Sequence, residues 1–248
     1  MGNKKVLGVI PARLGSTRVP RKMLADICGK PLIYYTYQQA KKAKSLNAII
    51  VATDAKEITD AVESFGGRVI MTSPEHPSGS DRTAEAIGKF NDFIPEIVVT
   101  IWGDEPFISP EAIDRAVDAL KNAPESVVAA TVAIPITKEE SESTSVVNVV
   151  FDVNNLALCF SRALIPYPFK SSGNFYKTSG IMAFRRGFIS KYSELPRRQF
   201  EIAESVEEMR ILENGYKIKI VPGNFESVGV NTPEELELAT EIIKKRLG

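Results

Sequence analysis

Residues 6–22, Val-Leu-Gly-Val-Ile followed by Pro-Ala-Arg-Leu-Gly-Ser-Thr-Arg-Val-Pro-Arg-Lys, form the stretch that most strongly indicates the fold. The apolar run Val6–Ile10 predicts a first, buried β-strand. The loop Pro11–Lys22 that follows contains four cationic side chains, two hydroxyl groups and one glycine. A buried strand that leads directly into a polar loop is typical of α/β proteins, whose ligands bind beyond the carboxyl ends of the strands.

Strands and helices alternate through the rest of the first half of the chain. Asp54 and Glu57 match a capping box, which predicts a helix that ends at Gly66-Gly67. The other predicted elements here are the strands Ala48–Thr53, Ile97–Trp102 and Val127–Ile134 and the helices Pro31–Lys44 and Pro110–Lys121. This β-α-β-α order predicts an α/β fold with a mostly parallel central sheet flanked by helices on both faces.

The second half of the chain has a less regular pattern. The predicted elements there are the strands Val146–Phe151, Leu156–Arg162, Tyr176–Phe184 and Tyr216–Val221 and the helices Glu204–Glu213 and Pro233–Arg246. We expect residues 1–248 to form one domain, because single cores grow to about 250–300 residues. Within it, residues 145–185 are expected to form a smaller, β-rich subregion.

The composition excludes several classes of function. Lys and Arg number 31, as do Asp and Glu, so no net charge draws the whole protein to nucleic acid or to an anionic membrane. Cys28 and Cys159 lie far apart and form no CxxC pair, which argues against a zinc site or a disulfide framework. Such cysteines fit a reducing, cytoplasmic location. No stretch approaches the ~20 apolar residues of a membrane span, so we expect no membrane span.

The loop after the first strand has the chemistry of a phosphate-binding site. Its backbone N–H groups, together with Arg13 and Lys22 near its two ends, suit a polyphosphate. The loop contains neither a GxxxxGKS/T nor a GxGxxG motif, so phosphate binding here requires a different scaffold. A basic loop that contacts only solvent is the alternative interpretation.

Asp104 is the candidate metal ligand. It follows the predicted strand Ile97–Trp102 and a glycine, at a point where ligands bind in open α/β sheets. A Mg²⁺ ion that bridges phosphate oxygens often takes only one or two protein carboxylates. The position of Asp104 therefore predicts a magnesium site. The alternative is that Asp104 only stabilises a turn or caps a helix.

Residues 78–82, Ser-Gly-Ser-Asp-Arg, predict a small-residue turn that ends in Arg82, just before a helix at Thr83–Phe90. A plain turn with a helix N-cap is the alternative to a ligand site there. His76 is the only histidine and has no fixed partner in the sequence, which is more typical of a structural or solvent-facing residue than of a catalytic one.

Together these motifs resemble the 3-deoxy-manno-octulosonate (Kdo) cytidylyltransferases, also called CMP-Kdo synthetases. The resemblance runs in order from Val6 to about Leu238, and no single motif carries it. The segments that carry it are Ile10–Arg18, Gly29–Leu32, Ala52–Asp54, Ser78–Arg82, Gly103–Pro106, Phe160–Arg162, Ile165–Tyr167 and Leu212–Gly215.

The resemblance implies a Rossmann-like nucleotidyltransferase that dimerises through its second half. It implies that the substrates are CTP and an acidic 2-keto-3-deoxy sugar and that Mg²⁺ is the cofactor. The activated sugar would serve lipopolysaccharide assembly. By this likeness the nucleotide-binding residues are Pro11, Ala12, Arg13, Ser16, Lys22, Thr53, Asp54, Ser78, Gly79, Arg82 and Gly103. The sugar-binding residues are Arg82, Arg162, Thr178, Glu207 and Glu208. The metal ligands are Asp104 and Asn231, and the catalytic residues are Arg13, Lys22 and Asp104.

The chain departs from the family pattern on the sugar side. Trp102 stands where the family has glutamine, and Asn231 stands where the family has an aspartate, which removes one negative charge from the metal site. Thr178–Met182 and Val206–Arg210 also differ from the family pattern. Glu208 is an added carboxylate that suits an ammonium group.

These departures leave several functions open. The chain activates Kdo through a rearranged pocket, or it activates a related acidic sugar such as an 8-amino Kdo variant. A nucleotidyltransferase with a different nucleotide or sugar, and a non-catalytic sugar-nucleotide-binding homologue, are the remaining alternatives.

Overall fold

The computed structural model describes residues 5–15, 18–170 and 173–247. The strands are β1 (Val6–Ala12), β2 (Asp26–Ile27), β3 (Lys30–Pro31), β4 (Ala48–Thr53), β5 (Val69–Met71), β6 (Ile97–Ile101), β7 (Val127–Ile136), β8 (Asn148–Phe151), β9 (Ala157–Ser161), β10 (Phe175–Thr178), β11 (Ile181–Arg185) and β12 (Lys217–Pro222). The α-helices are α1 (Leu32–Ala40), α2 (Lys56–Ser64), α3 (Gly79–Lys89), α4 (Pro110–Asn122), α5 (Lys138–Ser141), α6 (Arg186–Ile189), α7 (Gln199–Glu204), α8 (Glu208–Glu213) and α9 (Pro233–Leu247).

Within the described ranges, ten strands form one mixed sheet in the order β5-β4-β1-β6-β11-β7-β10-β8-β9, with β12 beside β7. Strands β5, β4, β1 and β6 are parallel, as is the pair β7 and β12. Strand β11 runs antiparallel between β6 and β7, and β8, β9 and β10 are also paired antiparallel. The predicted α/β fold with a mostly parallel central sheet is confirmed. A dimerising role for the β-rich portion stays a prediction.

Helices cover both faces of the sheet, as predicted. Successive side chains of a strand point to opposite faces, and β1 shows this directly. Val6 and Ile10 pack in one core, whereas Leu7 and Val9 pack in the other. Helices α1, α2, α4 and α9 contribute to the first core, and α3 and α8 contribute to the second. Because both faces are covered, the loops at the strand ends are left to form the site.

The single strand predicted at Tyr176–Phe184 is two strands, β10 and β11. The chain changes neighbours at Ser179 and Gly180, because β10 pairs with the end of β7, whereas β11 pairs with β6 and with the start of β7. A Cβ atom on Gly180 would overlap the side chain of Glu105. The break therefore makes room for the side chain of Glu105 beside the sheet.

Three helix predictions are corrected by the structure. The turn predicted at residues 78–82 is the first turn of α3, which begins at Gly79. No side chain caps α2, so the capping box of Asp54 and Glu57 does not form. The helix predicted at Glu204–Glu213 is divided into α7 and α8. In the part of the chain that the structure describes, every helix is too short or too polar to cross a membrane.

Candidate active site

The carboxyl ends of β1, β4 and β6 meet at one edge of the sheet. Strand β1 lies between the other two and is parallel to both. Its loop therefore stands beside Asp54, which follows β4, and beside Gly103 and Asp104, which follow β6. Because the three strands are parallel, the segments that follow them meet at the same edge of the sheet, as the sequence predicts.

An ion pair between Lys22 and Asp104 lies at the centre of this edge. Lys22 Nζ is 2.5 Å from Oδ2 of Asp104 and also donates to the carbonyl of Val230 at 2.8 Å. Val230 N donates in turn to the carbonyl of Asp104 at 2.9 Å. Lys22 is buried. The segment before α9 therefore closes a compact cluster that fixes the position of the Asp104 carboxylate.

The backbone before Asp104 passes its neighbours too closely for any side chain. A Cβ atom on Gly103 would lie 2.9 Å from Sδ of Met23 and 3.2 Å from the carbonyl oxygen of Pro11. The Gly103 carbonyl accepts a hydrogen bond from the buried hydroxyl of Thr36 at 2.8 Å. Glycine at this position lets the end of β6 approach the end of β1, which brings Asp104 next to the cationic loop.

The first of two adjoining cavities is called here the basic cavity and measures about 260 Å³. Its lining contains cations from several elements: Arg13, Arg18, Lys22, Arg82 and Arg197. Other residues of the predicted nucleotide site that line it are Pro11, Ala12, Ser78, Gly79 and Gly103, and the predicted metal ligand Asp104 lines it too. Such a concentration of cations around backbone groups suits a polyphosphate. Ser16 lies outside the described residues.

Arg82 is held rigidly at the wall of the basic cavity. Its guanidinium donates to the Thr72 hydroxyl at 2.6 Å and lies 3.5 Å from the carboxylate of Asp54. Burial lowers the pKa of Arg82, and the charge of Asp54 acts in the opposite direction. Asp54 lines neither cavity and acts by holding Arg82. Thr53 is fully buried, and its hydroxyl accepts from the backbone of Ala55, so it too lines neither cavity.

The start of α3 is anchored by a buried network centred on Arg210. Its guanidinium donates to both carboxylate oxygens of Asp81, at 2.9 and 3.1 Å, and to those of Glu201, at 2.6 and 2.8 Å. The ring of Tyr192 lies 4.4 Å from its central carbon. Burial acts against the charge of Arg210, but the hydrogen bonds to Glu201 and Asp81 outweigh it and raise its pKa. The network fixes the segment that carries Ser78 and Arg82.

The second cavity, called here the acidic cavity, measures about 230 Å³. Its carboxylates are Asp104, Glu105, Glu207, Glu208 and Glu235, and its cations are Arg162 and Lys177. Thr178 and Asn231 also line it. The structure therefore brings the predicted sugar-side residues together, except for Arg82, which lines only the basic cavity.

The two cations of the acidic cavity are positioned by backbone carbonyls. Arg162 donates to the carbonyl oxygens of Glu204 at 2.8 Å and Thr144 at 2.9 Å. Lys177, on β10, donates to the carbonyl of Ser227 at 3.4 Å. Carbonyl partners carry no formal charge, so Arg162 and Lys177 stay cationic in this cavity, where the neighbouring carboxylates of Glu208 and Glu105 offset part of their charge.

Two adjacent glutamates of the acidic cavity have unusual protonation. Burial raises the pKa of Glu207, while hydrogen bonds from Ser80 act in the opposite direction. Burial, followed by the charge of Glu207, raises the pKa of Glu208 to about 7, and the charge of Arg162 opposes this shift. The pair therefore resists carrying two negative charges.

Glu208→Gln is expected to stabilise the protein at pH 8 much more than at pH 5. The pKa of Glu208 rises from 4.5 when unfolded to about 7 when folded. The folded protein therefore keeps its full stability below about pH 4.5, where Glu208 is neutral in both states, and loses stability as the pH rises through 7 and the buried side chain must ionise. A shift of this size corresponds to roughly 3 kcal/mol. Urea unfolding at both pH values measures the difference, with exposed Glu111→Gln on α4 as control; a gain independent of pH would contradict the assignment.

The donor groups near Asp104 fit a hard divalent cation. Asp104 faces both cavities, and Asn231 lines the acidic one, with its amide oxygen accepting from Arg18 at 3.3 Å. In residues 5–15, 18–170 and 173–247, no three His, Cys, Asp or Glu side chains are grouped to hold a metal by themselves. A site with one carboxylate suits Mg²⁺ that also binds substrate phosphates.

Several residues of the two cavities were not predicted from the sequence. Glu235 accepts from the backbone N–H groups of Asn231 and Thr232 and so brings a carboxylate to the segment where the family aspartate is missing. Lys177 lies in β10, and the alternation of polar and apolar residues in this strand predicts a strand but does not identify Lys177 as a ligand-binding residue. His76 lines the basic cavity while its ring contacts Glu85, which combines a structural role with exposure to the site.

Comparison with known proteins gives a consistent result. A family model described as cytidylyltransferase matches residues 7–219. A 3-deoxy-manno-octulosonate cytidylyltransferase from Thermodesulfovibrio yellowstonii is 42% identical over 248 residues, covering 95% of this chain and 96% of that protein. An 8-amino-3,8-dideoxy-manno-octulosonate cytidylyltransferase from Shewanella woodyi is 42% identical over 233 residues, covering 93% and 95%. A solved CMP:2-keto-3-deoxy-manno-octonic acid synthetase complexed with CTP superposes with a TM-score of 0.90 at 36% identity, covering 98% and 99%.

Proposed function

The chain belongs to the cytidylyltransferase family, and on that premise we propose that it transfers CMP from CTP to 3-deoxy-manno-octulosonate and releases pyrophosphate. The observation that carries this proposal is the pair of adjoining cavities that share Asp104. One is rich in cations and suits a triphosphate, and the other presents Arg162 and Lys177 to an acidic sugar. The relatives named for this reaction support the choice of both substrates.

The proposed reaction is an in-line attack on the α-phosphorus of CTP. The oxygen of the anomeric hydroxyl forms the new phosphorus–oxygen bond, and its proton passes to solvent water. The bond between the α-phosphorus and the bridging oxygen breaks, and pyrophosphate leaves with the electron pair. No covalent intermediate with the protein is needed, so catalysis consists of positioning and of charge stabilisation.

Four residues of the basic cavity have a part in this scheme. Arg13 and Lys22 bind the phosphates and offset the charge that develops on them. Arg82, fixed by Thr72 and Asp54, borders the nucleotide. Asp104 and Asn231 would hold Mg²⁺, which when bound neutralises phosphate charge and polarises the phosphoryl group.

The protein is further proposed to be a cytoplasmic homodimer. Large apolar side chains in the second half support an interface there, since Leu158, Tyr167 and Phe169 are 63%, 76% and 82% exposed. Contact with a second protomer would cover these exposed apolar side chains. The mass of the protein in solution tests this assignment.

Incubation with each of the four ribonucleoside triphosphates, Kdo and Mg²⁺ is expected to consume only CTP. The products should be pyrophosphate and a CMP-sugar whose mass equals that of CMP joined to Kdo less one water. Mass spectrometry measures the sugar nucleotide, and a coupled phosphate assay measures pyrophosphate. Consumption of another nucleotide would assign a different nucleotidyltransferase activity, and no turnover with any acceptor would indicate a non-catalytic homologue.

An 8-amino Kdo variant is the second candidate acceptor, and Glu208 is the observation that favours it. Its carboxylate faces the acidic cavity, and an ammonium group there would favour the charged form of Glu208. Adding this sugar to the same incubation separates the two acceptors, because kcat/KM is larger for the physiological one. The Kdo assignment is withdrawn if the amino sugar is preferred by more than about tenfold.

A further inference from the structure

The side chain of Trp102 stands between the two cavities. Trp102, Asp104 and Glu207 each line both the basic and the acidic cavity. Asp104 is already placed by Lys22 and by the proposed metal site. Trp102 and Glu207, together with Ser205, therefore form the remaining part of the wall, and the proposed chemistry gives these three residues no role.

The indole ring is clamped in this position from two elements. Its Nε1 donates to Oε1 of Glu207 at 3.1 Å, and Oε2 of Glu207 accepts from the backbone N–H of Ser80 at 2.9 Å. A Cβ atom on Gly79 would lie 3.5 Å from both Nε1 of Trp102 and Oε1 of Glu207. The backbone of Trp102 donates to the carbonyl of Gly180 at 2.8 Å. The ring is thus fixed at the start of α3 and just before α8.

We propose that Trp102 is a specificity-determining residue for the acceptor: its indole, clamped by Glu207, forms the wall that limits how far an acceptor in the acidic cavity extends toward the nucleotide. This inference rests on the proposed function, because it assigns the acceptor to the acidic cavity. The attacking hydroxyl must reach the α-phosphorus past this wall. A rigid aromatic ring there restricts the size and orientation of the groups beside that hydroxyl.

Two substitutions separate the volume of the ring from its hydrogen bond. Trp102→Gln removes most of the wall but keeps an N–H donor for Glu207. Trp102→Phe keeps a ring in the wall but removes the donor, which deprives the half-buried Oε1 of Glu207 of its hydrogen bond from Trp102. If ring volume sets the acceptor preference, the two variants should differ in that preference, although both lack the indole.

The test compares acceptor preference at saturating CTP and Mg²⁺. The acceptors are Kdo and a 2-keto-3-deoxy acid that carries a bulkier substituent beside the attacking centre. Trp102→Gln is expected to raise the kcat/KM ratio of the bulkier acid to Kdo by at least about tenfold. Trp102→Phe is expected to keep the wild-type ratio within about twofold while kcat/KM for both acceptors falls. A Trp102→Gln variant with the wild-type ratio would overturn the proposal.

Intrinsic fluorescence separates this inference from the proposed function. Trp102 is the only tryptophan in the chain, so its emission reports on both cavities without turnover. Titration of the wild-type protein with CTP alone and with Kdo alone is expected to change the emission in each case. If CTP leaves it unchanged and calorimetry detects no binding, the proposed function fails. If both ligands bind but the acceptor ratio does not respond to Trp102→Gln, only the assignment of the wall fails.

Discussion

Asp104→Asn is expected to lower kcat/KM by at least about a thousandfold while the protein stays folded. The substitution removes the negative charge of the proposed metal ligand, which faces both cavities, and a divalent cation contributes several kcal/mol of charge stabilisation in such reactions. Each 1.36 kcal/mol corresponds to a factor of about ten in rate. The amide oxygen can still accept from Lys22, so the cluster around Val230 is retained.

Steady-state rates over a range of Mg²⁺ concentrations measure this effect, and thermal unfolding verifies the fold. Asp118→Asn is a matched control, since this carboxylate lies exposed on α4, 3.9 Å from Nζ of Lys121. Calorimetric titration with Mg²⁺ and CTP should show weakened metal binding in the Asp104 variant alone. Near-wild-type turnover in Asp104→Asn would remove Asp104 from the metal site.

The parts of the site that local sequence determines were predictable. An apolar run that ends in Gly103 and Asp104 identifies a strand and the polar group at its end, and the parallel order of the strands then assembles the loops. Strand β4 was predicted with its observed bounds for the same reason, because β-branched residues fill it and polar residues follow it.

Features that depend on contacts between distant segments were not predictable. Lys22 and Val230 are 208 positions apart, and Asp81 and Arg210 are 129 positions apart. Periodicity carries no information about such pairs, because they follow from how distant segments of the chain pack together. The same reason explains Asp54, where a local capping pattern was overridden by the pairing with Arg82.

Arg210→Met is expected to destabilise the protein by about 3–5 kcal/mol, because removal of one partner leaves buried charges uncompensated. Arg210 is 1% exposed, and Asp81 and Glu201 are each 2% exposed. Since Asp81 belongs to the first turn of α3, the loss should also loosen Ser78 and Arg82 and raise KM for CTP. Urea unfolding measures the stability, and Arg210→Lys should retain part of it because a charge remains without the fork of hydrogen bonds.

The pH dependence of this effect distinguishes uncompensated charge from lost packing. In the wild-type protein burial acts to raise the pKa of Asp81, but hydrogen bonds from Arg210 and Ser78 lower it, so its contribution is present above about pH 4 and lost below. In Arg210→Met the buried Asp81 carboxylate has lost its cationic partner, so its protonated form is the more stable one. The destabilisation should therefore shrink as the pH falls from 7 to 4. The triple variant Arg210→Met, Asp81→Asn, Glu201→Gln should recover much of the stability at pH 7, because no charge is left unpaired. A loss that is equal at both pH values and persists in the triple variant would instead assign Arg210 to packing against Tyr192.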